Sequence, residues 1–390
     1  MKKVYLDNNA TTMVSPAAAK EMERFNTIHY GNPSSLHNFG LDTRPELRKA
    51  LDRIYRLVNA ADADDVLITS GATEANNHVI KSVFRAAAER SRSGRKDHYI
   101  TTNIEHPTVY NTFQYLEKLG AAVDYLPCDR HGLLYPEQIQ AALRENTVLV
   151  SVMAANNEIG TILPVKEIAA LCRERGVLVH TDATQAAGKI PVDARDWGVD
   201  YLSFSAHKFH GPKGVGGLYV RQGRRLEPLF HGGEQMANLR AGTLNVPGII
   251  GMGAAAQEAL DFLDYEATEV KRLRDKLEDF ILQHIPAAFL NGDRQNRTPN
   301  TLNIAFQDCE GEALLWDLNE HGIAASTGSA CASEELESSR ILRALGIDKA
   351  LSHMAVRFSL SRFTTEEEID YVISVLPGII RRLREISSGR

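Results

Sequence analysis

Short β-rich runs alternate with helical patterns between residues 60 and 225, and this alternation limits the possible folds more than any other feature of the sequence. The runs are VLIT 66–69, HYITTN 98–103, VDYLP 123–127, VLVSVMA 148–154, VLVHT 177–181, DYLSF 200–204 and GGLYV 216–220. Each is short and rich in branched or aromatic residues, as strands are. Strands that alternate with helices in this way favour an α/β fold with a doubly wound, mostly parallel sheet.

Predicted helices fill the gaps between these runs, and prolines or an acidic first turn mark where they begin. These helices are expected at 73–90, 107–119, 136–145 and 164–175. After about residue 250 the rhythm changes, because a long amphipathic helical pattern reaches Gln283. It is followed by predicted strands at 301–306 and 356–360 and predicted helices at 311–322 and 365–385. The change predicts a second, smaller α+β domain.

Composition excludes several classes of protein. The 390 residues, 43% hydrophobic and 24% charged, are ordinary for a globular chain and exceed a single ordinary core. A net charge of -6 gives no basic surface for nucleic acid. The chain lacks an apolar stretch of about 20 residues to cross a membrane and lacks the apolar core of a signal peptide at its N-terminus. A cytoplasmic protein with four reduced, widely spaced cysteines is expected.

Polar residues follow four of the predicted strands, at the edge where open α/β sheets bind their ligands. The first run is followed by SGATEANN, whose small residues leave backbone N–H groups at a helix N-terminus free to hold a phosphate. Glu105-His106-Pro107 follows the second run, Asp182 follows the fifth, and Ser205-Ala206-His207-Lys208 follows the sixth. Together these polar residues are suited to bind one cofactor.

An enzyme that uses pyridoxal 5'-phosphate (PLP) needs a lysine to form an imine, a carboxylate beside the ring nitrogen, a flat group against the ring and a phosphate cup. The candidates, in that order, are Lys208, Asp182, His106 and the pair Ala72 and Thr73, with Gln185 placed to hydrogen-bond the phenolic oxygen of the ring. A buried carboxylate favours the protonated ring nitrogen, which makes the ring a better electron sink.

Each candidate also has a simpler structural explanation. A lysine after a strand is usually a surface residue, His106 could cap a helix, and Asp182 could belong to a turn. His207 and His210 could suggest a metal, but no third ligand adjoins them, so zinc is not expected. The loop SFSAHKFHGPKGVGGLYV at 203–220 favours the cofactor, because so many histidines and glycines around one lysine are unusual in a purely structural loop.

Further stretches along the whole chain agree, in order, with one family. They are YLDNNATT 5–12, HYGNPSSLH 29–37, TSGATEANN 69–77, EHPTV 105–109, NNEIGT 156–161, HTDATQAAGKIPVD 180–193, SFSAHKFHGPKGVGGLYV 203–220, GGEQMANLRAGTLNV 232–246, STGSACASEELE 326–337 and VRFSLSRFTTEEEID 356–370. The chain resembles the cysteine desulfurases of the NifS/IscS type, within the class V aminotransferase family of fold-type I PLP enzymes. This implies a large PLP-binding domain at 16–259 and a small domain, formed by 1–15 and 260–390, that carries a cysteine loop.

The resemblance implies a role for each matched residue. Lys208 would form the imine and remove the Cα proton, His106 would stack on the ring and move protons, and Asp182 would pair with the pyridine nitrogen. Further contacts to the cofactor would come from Ala72, Thr73, Asn157, Gln185, Ser205, His207 and the partner subunit's Thr243 in a homodimer. Arg357, assisted by Asn32, would bind the substrate carboxylate with its planar guanidinium.

Cys331 matches the persulfide-forming cysteine of this family, and the residues around it, STGSACASEE, are small and polar. The implied reaction converts L-cysteine to L-alanine and passes sulfur from Cys331 to an acceptor such as an iron–sulfur scaffold protein. Cys331 is also a candidate ligand for a transient 2Fe-2S cluster. The cysteine motif favours the NifS/IscS group over the SufS-like group, and the ending RRLREISSGR, without the longer IscS tail, favours a NifS-like enzyme. Cys128 and Cys309 are expected to be structural.

Other functions remain open at this point. The same family contains aminotransferases and selenocysteine lyases, and Cys331 distinguishes the former, since transamination needs no loop thiol. A protein that serves only as a docking platform for iron–sulfur assembly proteins is a further alternative. Intact Lys208, Asp182 and His106 argue against it.

Overall fold

The computed structural model of the protein describes residues 2–90, 97–327 and 339–389. Its strands are β1 (Val4–Tyr5), β2 (Asp65–Thr69), β3 (His98–Thr102), β4 (Ala122–Leu126), β5 (Thr147–Ser151), β6 (Leu178–Asp182), β7 (Tyr201–Ser205), β8 (Gly216–Val220), β9 (Ala288–Asn291), β10 (Thr301–Phe306), β11 (Ile323–Ala324) and β12 (Ala355–Ser359). Within the described ranges, no helix is both long enough and apolar enough to span a membrane.

The α-helices alternate with these strands through the first two thirds of the chain. They are α1 (Pro16–Thr27), α2 (Asn38–Leu41), α3 (Arg44–Leu57), α4 (Ala72–Arg90), α5 (Pro107–Lys118), α6 (Pro136–Ala142), α7 (Val165–Glu174), α8 (Ala194–Trp197), α9 (Val246–Asp261), α10 (Leu263–Tyr265), α11 (Lys271–His284), α12 (Gly311–Glu320), α13 (Arg340–Ala344), α14 (Lys349–His353) and α15 (Glu366–Ser387). A π-helical turn, Glu266–Val270, joins α10 to α11.

Seven strands form the central sheet in the order β2-β8-β7-β6-β5-β3-β4. Strand β8 runs antiparallel to both of its neighbours, and the other pairs are parallel. The predicted α/β fold with a mostly parallel seven-stranded sheet is confirmed. Six strands therefore end at the same edge, where their following loops meet. Strands β3, β7 and β8 are buried along their whole length, as expected when helices cover both faces.

Helices pack on both faces of this sheet. On one face α1 and α3 lie against α9, and Phe25, Ile54 and Ile249 belong to the same apolar cluster. The contact is close, since a Cβ at Gly253 of α9 would lie 2.6 Å from Cα of Ala50. The other face is covered by α4 and α5, whose apolar residues form a second cluster with Tyr99 of β3. The sheet edge that carries the loops is thus supported from both sides.

A smaller antiparallel sheet, β12-β10-β9, packs with α11, α12 and α15 around a third apolar cluster. The N-terminal segment joins this part, because β1 pairs in parallel with β11 and both Val4 and Leu6 lie in that cluster. The domain limits 16–259, 1–15 and 260–390 stay a prediction. Ala305 and Ala355 of the smaller sheet pack within the first cluster, so the two parts share an apolar contact.

The helical pattern that leads to Gln283 is interrupted in the structure. Helix α9 begins at Val246, where the Asn245 side chain accepts a hydrogen bond from the amide of Gly248. It ends at Asp261, because the backbone of Phe262 (φ −104°, ψ 8°) leaves the helical region, and helical structure resumes with α10 and continues through the π-helical turn into α11. One continuous helix across this span would therefore be a wrong expectation.

Candidate active site

A cavity of about 520 Å³ opens at the sheet edge where the parallel strands end. Its walls come from the loops after β2, β3, β6 and β7 and from β12. The predicted site residues that line it are Ala72, Thr73, His106, Asn157, Asp182, Gln185, Ser205, His207, Lys208 and Arg357. A larger cleft of about 670 Å³ lies between α15 and the end of α11 and contains none of these residues. The predicted residues thus share one cavity, although they are far apart in the chain.

Lys208 ends a 3₁₀ turn, Ala206–Lys208, that directly follows β7. Its Nζ donates hydrogen bonds to the backbone oxygens of Asn9 (2.6 Å) and Ala10 (2.7 Å). Both acceptors belong to the segment after β1, which crosses from the smaller sheet to the cavity. The N-terminal segment therefore helps to set the position of the amine.

Asp182 is the last residue of β6, next to the strand that leads to Lys208. Its Oδ2 accepts a hydrogen bond from Nδ2 of Asn76 (2.7 Å), and its Oδ1 accepts one from the backbone amide of Thr184 (3.0 Å). These two donors fix the direction of the carboxylate. Asn76 was not predicted as a site residue, yet it lies in the motif TSGATEANN, one helical turn after Ala72 on α4.

His106 caps a helix and also lines the cavity, while its predicted role against the cofactor ring stays a prediction. It is the N-cap of α5, since its Nδ1 accepts a hydrogen bond from the amide of Thr108 (3.2 Å), and its ring also lines the cavity. A ring nitrogen that accepts from an amide carries no proton, so the proton of the neutral ring is on Nε2. Burial, together with the charges of Lys208 and Arg340, lowers the pKa of His106. The ring is neutral at pH 7.

The first turn of α4 forms one end of the cavity. The backbone amide of Ala72 donates to Oγ of Ser205 (2.7 Å), which ties the helix N-terminus to the end of β7. Gly71 precedes the helix with φ of 151°, and a Cβ at Gly216 of β8 would lie 2.7 Å from its Cα. Only glycine adopts this backbone conformation readily. The N-terminus of a 19-residue helix attracts anions, and this end suits a phosphate.

His207 lies beside this end of the cavity. Its Nδ1 is 3.0 Å from Oγ1 of Thr11. Burial, followed by the charges of Lys208 and Lys213, lowers the pKa of His207 to about 4. The imidazole is therefore neutral at pH 7, and it can offer a phosphate a hydrogen bond but no charge.

Arg357 lines the opposite part of the cavity from β12 and is almost fully buried. Its Nη1 donates to the backbone oxygen of Asn157 (2.9 Å), and its Nη2 pairs with Oδ1 of Asp7 (2.8 Å). Its Nε has no hydrogen-bond partner within the described parts of the chain. Asp7 was not predicted as a site residue, and only the approach of β1 to β12 reveals its contact.

Two predicted residues lie outside the cavity, and one falls outside the described residues. Asn32 is exposed, and its Oδ1 accepts a hydrogen bond from the amide of Ser34 (3.0 Å). Thr243 is also exposed in the single chain. Both roles stay predictions. Cys331 belongs to the undescribed segment 328–338, and the three cysteines that are described, Cys128, Cys172 and Cys309, are buried.

Metal binding at the two histidines finds no support. His210 points its Nδ1 at the backbone oxygen of Met13 (3.1 Å) and packs its ring against Phe363. Within residues 2–90, 97–327 and 339–389, no group of three or more His, Cys, Asp or Glu side chains is arranged to hold a metal ion.

Unpaired polar atoms around the cavity indicate a ligand. Within the described ranges, the buried atoms without a hydrogen-bond partner include Asn76 Oδ1, Asn157 Oδ1, Thr184 Oγ1 and Arg357 Nε. Each such group costs about 1–3 kcal/mol unless it is paired. The lysine, the carboxylate and the helix N-terminus fit PLP. A mostly parallel seven-stranded sheet with these groups at its loop edge defines a fold-type I PLP enzyme.

The chain belongs to the class V aminotransferase family, which matches residues 4–372. The NifS cysteine desulfurase of Azotobacter vinelandii is 48% identical over 387 residues, which cover 99% of this chain and 95% of that protein. The IscS cysteine desulfurase of Dictyoglomus turgidum is 44% identical over 386 residues, with 99% and 96% covered. The predicted family is confirmed, and PLP is its cofactor.

Solved structures agree over the same length. A NifS-like protein superposes with a TM-score of 0.89 at 38% identity, and each chain is covered completely. The structure of SspA in complex with cysteine superposes with a TM-score of 0.80 at 32% identity, covering 93% of this chain and all of the other. The structural and the sequence comparisons therefore give the same family.

Proposed function

We propose that this chain is a cysteine desulfurase that converts L-cysteine to L-alanine and holds the released sulfur as a persulfide on Cys331. The observation that carries the proposal is the convergence of Lys208, Asp182, His106 and Arg357 on one cavity. The relatives that match nearly the whole chain are cysteine desulfurases, and one structural relative was solved with cysteine.

Arg357 is the group proposed to bind the substrate carboxylate. Asp7 and the backbone oxygen of Asn157 hold its two Nη atoms, while the buried Nε lacks a partner among the described residues. A carboxylate whose one oxygen accepts from Nε can accept with its other oxygen from the free hydrogen of a neighbouring Nη. This gives the bidentate geometry that guanidinium groups favour. The unpaired Nε thus supports a site for an amino-acid carboxylate.

The remaining residues divide the proton chemistry. Bound PLP supplies an electron sink for the electron pair that stays on Cα after its proton is removed. Lys208 is the amine proposed to take that proton, and the carboxylate of Asp182 would stabilise a positive charge on the ring nitrogen. His106 would lie against the ring, and the proton on its Nε2 makes it a donor for the leaving or returning groups.

Sulfur leaves the substrate by transfer between two sulfur atoms. The thiolate of Cys331 attacks the substrate sulfur, an S–S bond forms, and the Cβ–S bond breaks with its electron pair staying on carbon. A proton then completes the methyl group of alanine, so that no outside oxidant is required. The product on the enzyme is a persulfide, which a thiol acceptor can take up.

Both described margins of segment 328–338 contact residues that line the cavity, which supports a role for Cys331 there. Before the segment, Ser326 and Arg357 exchange two backbone hydrogen bonds. After it, the Ser339 hydroxyl donates to Glu158 and the guanidinium of Arg340 donates to the backbone oxygen of Glu105. Cys331 lies five residues after Ser326 in the sequence, and a fully extended chain of five residues spans at most about 18 Å. This short connection to a residue paired with Arg357 is compatible with the role proposed for Cys331.

The three described cysteines are poor candidates for the sulfur carrier. Burial raises the pKa of Cys172 to about 12 and also raises the pKa of Cys128 and Cys309. The thiolate is the nucleophile in sulfur transfer, and buried thiols of this kind are not ionised at neutral pH. Their burial matches the structural role expected for Cys128 and Cys309.

A homodimer and an acceptor protein complete the proposal. Exposed apolar side chains cluster between α1 and α2, with the rings of Tyr30 and Phe39 5.8 Å apart, and such a patch is typical of an interface. Thr243 is exposed, as a residue that reaches a partner subunit's cofactor must be. The proposed acceptor is a protein such as an iron–sulfur scaffold. Cytoplasmic residence and cluster binding by Cys331 stay predictions from sequence.

The test is to mix purified protein with L-cysteine and a reductant and to measure alanine and sulfide together, in the wild type, in Cys331→Ser and in the control Cys128→Ala. We expect equal amounts of both products from the wild type and from the control. Cys331→Ser should keep the yellow cofactor and release neither product.

The other outcomes identify the rival functions. Cofactor colour with transamination products but no sulfide would indicate an aminotransferase. Activity on selenocysteine alone, retained in Cys331→Ser, would indicate a selenocysteine lyase. A colourless wild-type protein would rule out the role of Lys208 and favour a docking platform.

A further inference from the structure

Lys189 is a buried lysine that lies behind the cavity wall and outside the cavity lining. It follows Gln185 by four residues, in the turn after β6. Its Nζ donates to Oε1 of Gln185 (2.5 Å) and to Oδ1 of Asn9 (2.9 Å). Both acceptors are neutral amide oxygens, and the nearby carboxyl of Glu266 offsets only part of the cost of burying the amine. Such a residue calls for a function.

The lysine and the backbone oxygen of Asn9 together determine which way the Gln185 carboxamide points. An ammonium group only donates, so the atom of Gln185 that faces Nζ must be the carbonyl oxygen. The amide nitrogen then occupies the other position, where one of its hydrogens is donated to the backbone oxygen of Asn9 (3.0 Å). Gln185 lines the cavity, and Nε2 carries a second hydrogen. Gln185 thereby offers the cavity an N–H donor.

Asn9 extends the same network to the catalytic amine. Its backbone oxygen accepts from both Nε2 of Gln185 and Nζ of Lys208, while its Oδ1 accepts from Lys189 and from Nδ2 of Asn300 (3.0 Å). The burial of Lys189, with the nearby charge of Lys208, lowers its pKa to about 7. Protonated or neutral, the amine has enough hydrogens for both of its acceptors.

We propose that Lys189 is a positioning residue, which fixes the Gln185 carboxamide so that its N–H faces the phenolic oxygen of the cofactor ring. The inference rests on the proposed function, in which Gln185 contacts that oxygen. A reversed carboxamide would place two acceptors against each other. Lys189 acts only through Gln185 and touches neither the cofactor nor the substrate.

The test is a double-mutant cycle on the holoenzyme with Lys189→Met, Gln185→Leu and the double variant. Methionine is unbranched like lysine and matches its side chain as far as Cε, but it donates no hydrogen bond. We expect Lys189→Met to raise the dissociation constant for PLP about 10-fold and to shift the visible absorption band of the bound cofactor at fixed pH. In the Gln185→Leu background the same change should add less than about twofold.

Either of two results would overturn the inference. One is a Lys189→Met enzyme with wild-type PLP affinity and absorption. The other is an equal effect of Lys189→Met with and without Gln185, which would place its action in Asn9 or in general stability. A wild type that binds no PLP would instead contradict the proposed function, so the two failures are distinguishable.

A second variant covers the case in which Lys189→Met does not fold. Gln185→Glu keeps an acceptor for Lys189, with which the new carboxylate forms an ion pair, but it loses the N–H that Gln185 donates to Asn9. It presents an oxygen to the phenolic oxygen, so PLP affinity should fall by more than about 10-fold. Wild-type PLP affinity in Gln185→Glu would contradict the proposed orientation of the carboxamide.

Discussion

Asn76 carries no chemistry of its own, yet it holds the carboxylate of Asp182 from the neighbouring helix. The same side chain amide also donates to Oγ1 of Thr108 (2.9 Å), which follows His106. One asparagine thus links the residue proposed to face the ring nitrogen with the loop that carries the stacking histidine. Its own Oδ1 is buried without a partner among the described residues.

Asn76→Ala should lower kcat/KM for L-cysteine about 10- to 100-fold, because a hydrogen bond to a charged group contributes roughly 1.5–3 kcal/mol. Steady-state alanine formation measures this effect. Asn77→Ala is the matched control, since its Nδ2 bonds only the backbone oxygen of Thr73 (2.9 Å), and it should stay within about twofold of the wild type. Equal losses in both variants would contradict the role of Asn76.

Glu105 is fully buried beside His106. Its Oε1 accepts from Oγ1 of Thr102 (2.8 Å) and from the amide of Met153 (2.9 Å), while its Oε2 has no partner in the described ranges. Burial raises the pKa of this carboxyl from 4.5 to about 8. The folded protein keeps Glu105 protonated at pH 7, and the unfolded chain does not.

The raised pKa predicts how stability depends on pH. The contribution of Glu105 is complete below about pH 4.5 and is lost as the pH rises through about 8, because only the unfolded chain ionises over that interval. The melting temperature of the wild type should therefore fall more steeply between pH 5.5 and 8 than that of Glu105→Gln. Glu46→Gln, at an exposed site, should keep the wild-type slope. Parallel slopes for all three proteins would refute the assignment.

Among the elements, α15 has the best-defined beginning. The hydroxyl of Thr365 accepts from the amide of Glu368, and the Glu368 carboxylate accepts from the amide of Thr365 (2.9 Å), which is a capping box. Helix α15 packs against α11 and α12 and supports the smaller sheet, whose strand β12 carries Arg357. The stability of the N-terminus of α15 thus affects the part of the site where Arg357 is proposed to bind the substrate.

Thr365→Ala should reduce the free energy of unfolding of the smaller part by about 1 kcal/mol, the usual cost of a lost N-cap. Chemical denaturation followed by circular dichroism measures the change. Ser374→Ala in the same helix removes only an exposed hydroxyl that bonds the Tyr371 backbone oxygen, and it should change stability by less than about 0.5 kcal/mol. A larger effect at Ser374 would count against the cap.

The elements that sequence predicts well are those with a strong local pattern. The seven strands of the central sheet are short runs rich in branched or aromatic residues, and the parallel arrangement of six of them brings their following residues to one edge. Strand β9 was not predicted, because its four residues are half exposed and only pairing with β10 defines it. Helix α3 was also missed, although the spacing of Leu47, Ala50, Ile54 and Leu57 is a sufficient signal.

The same reasoning explains which site residues sequence could find. Lys208, Asp182 and His106 follow strands directly, so their meeting depends only on the sheet. Asn76 and Lys189 act through other side chains, and their partners emerge only from the packing of separate elements. Asn32 and Thr243 are exposed in a single chain, so a second copy is required to judge them.

At the scale of the whole molecule, the exposed apolar patch between α1 and α2 predicts a dimer. The patch consists of Ile28, Tyr30, Leu36 and Phe39, and Leu36 is 85% exposed. A single chain gains nothing from leaving such residues in water, whereas a second copy would bury them.

If the proposed dimer forms through this patch, Phe39→Asp should give a monomer and should weaken PLP retention, since the proposed phosphate contact from the partner subunit's Thr243 is then lost. Sedimentation velocity and absorption of the bound cofactor measure the two effects. Trp316→Asp is the control, because Trp316 is 70% exposed but lies on α12, away from the patch. A dimeric Phe39→Asp enzyme with full cofactor would rule out this interface.

The contact between Asn9 and Ser359 has a consequence for synthesis of the protein. The amide of Asn9, whose backbone oxygen accepts from Lys208, donates to Oγ of Ser359 (2.9 Å), which lies 350 residues later in the chain. A ribosome that adds about 5–20 residues per second takes roughly 20–70 s to cover that interval. During this time the central sheet can form while Val4 and Leu6 still lack the strands that bury them. Val4 and Leu6 are then apolar side chains without their partners, which are the kind that chaperones bind, and the bond from Asn9 to Ser359 forms only after β12 has been made.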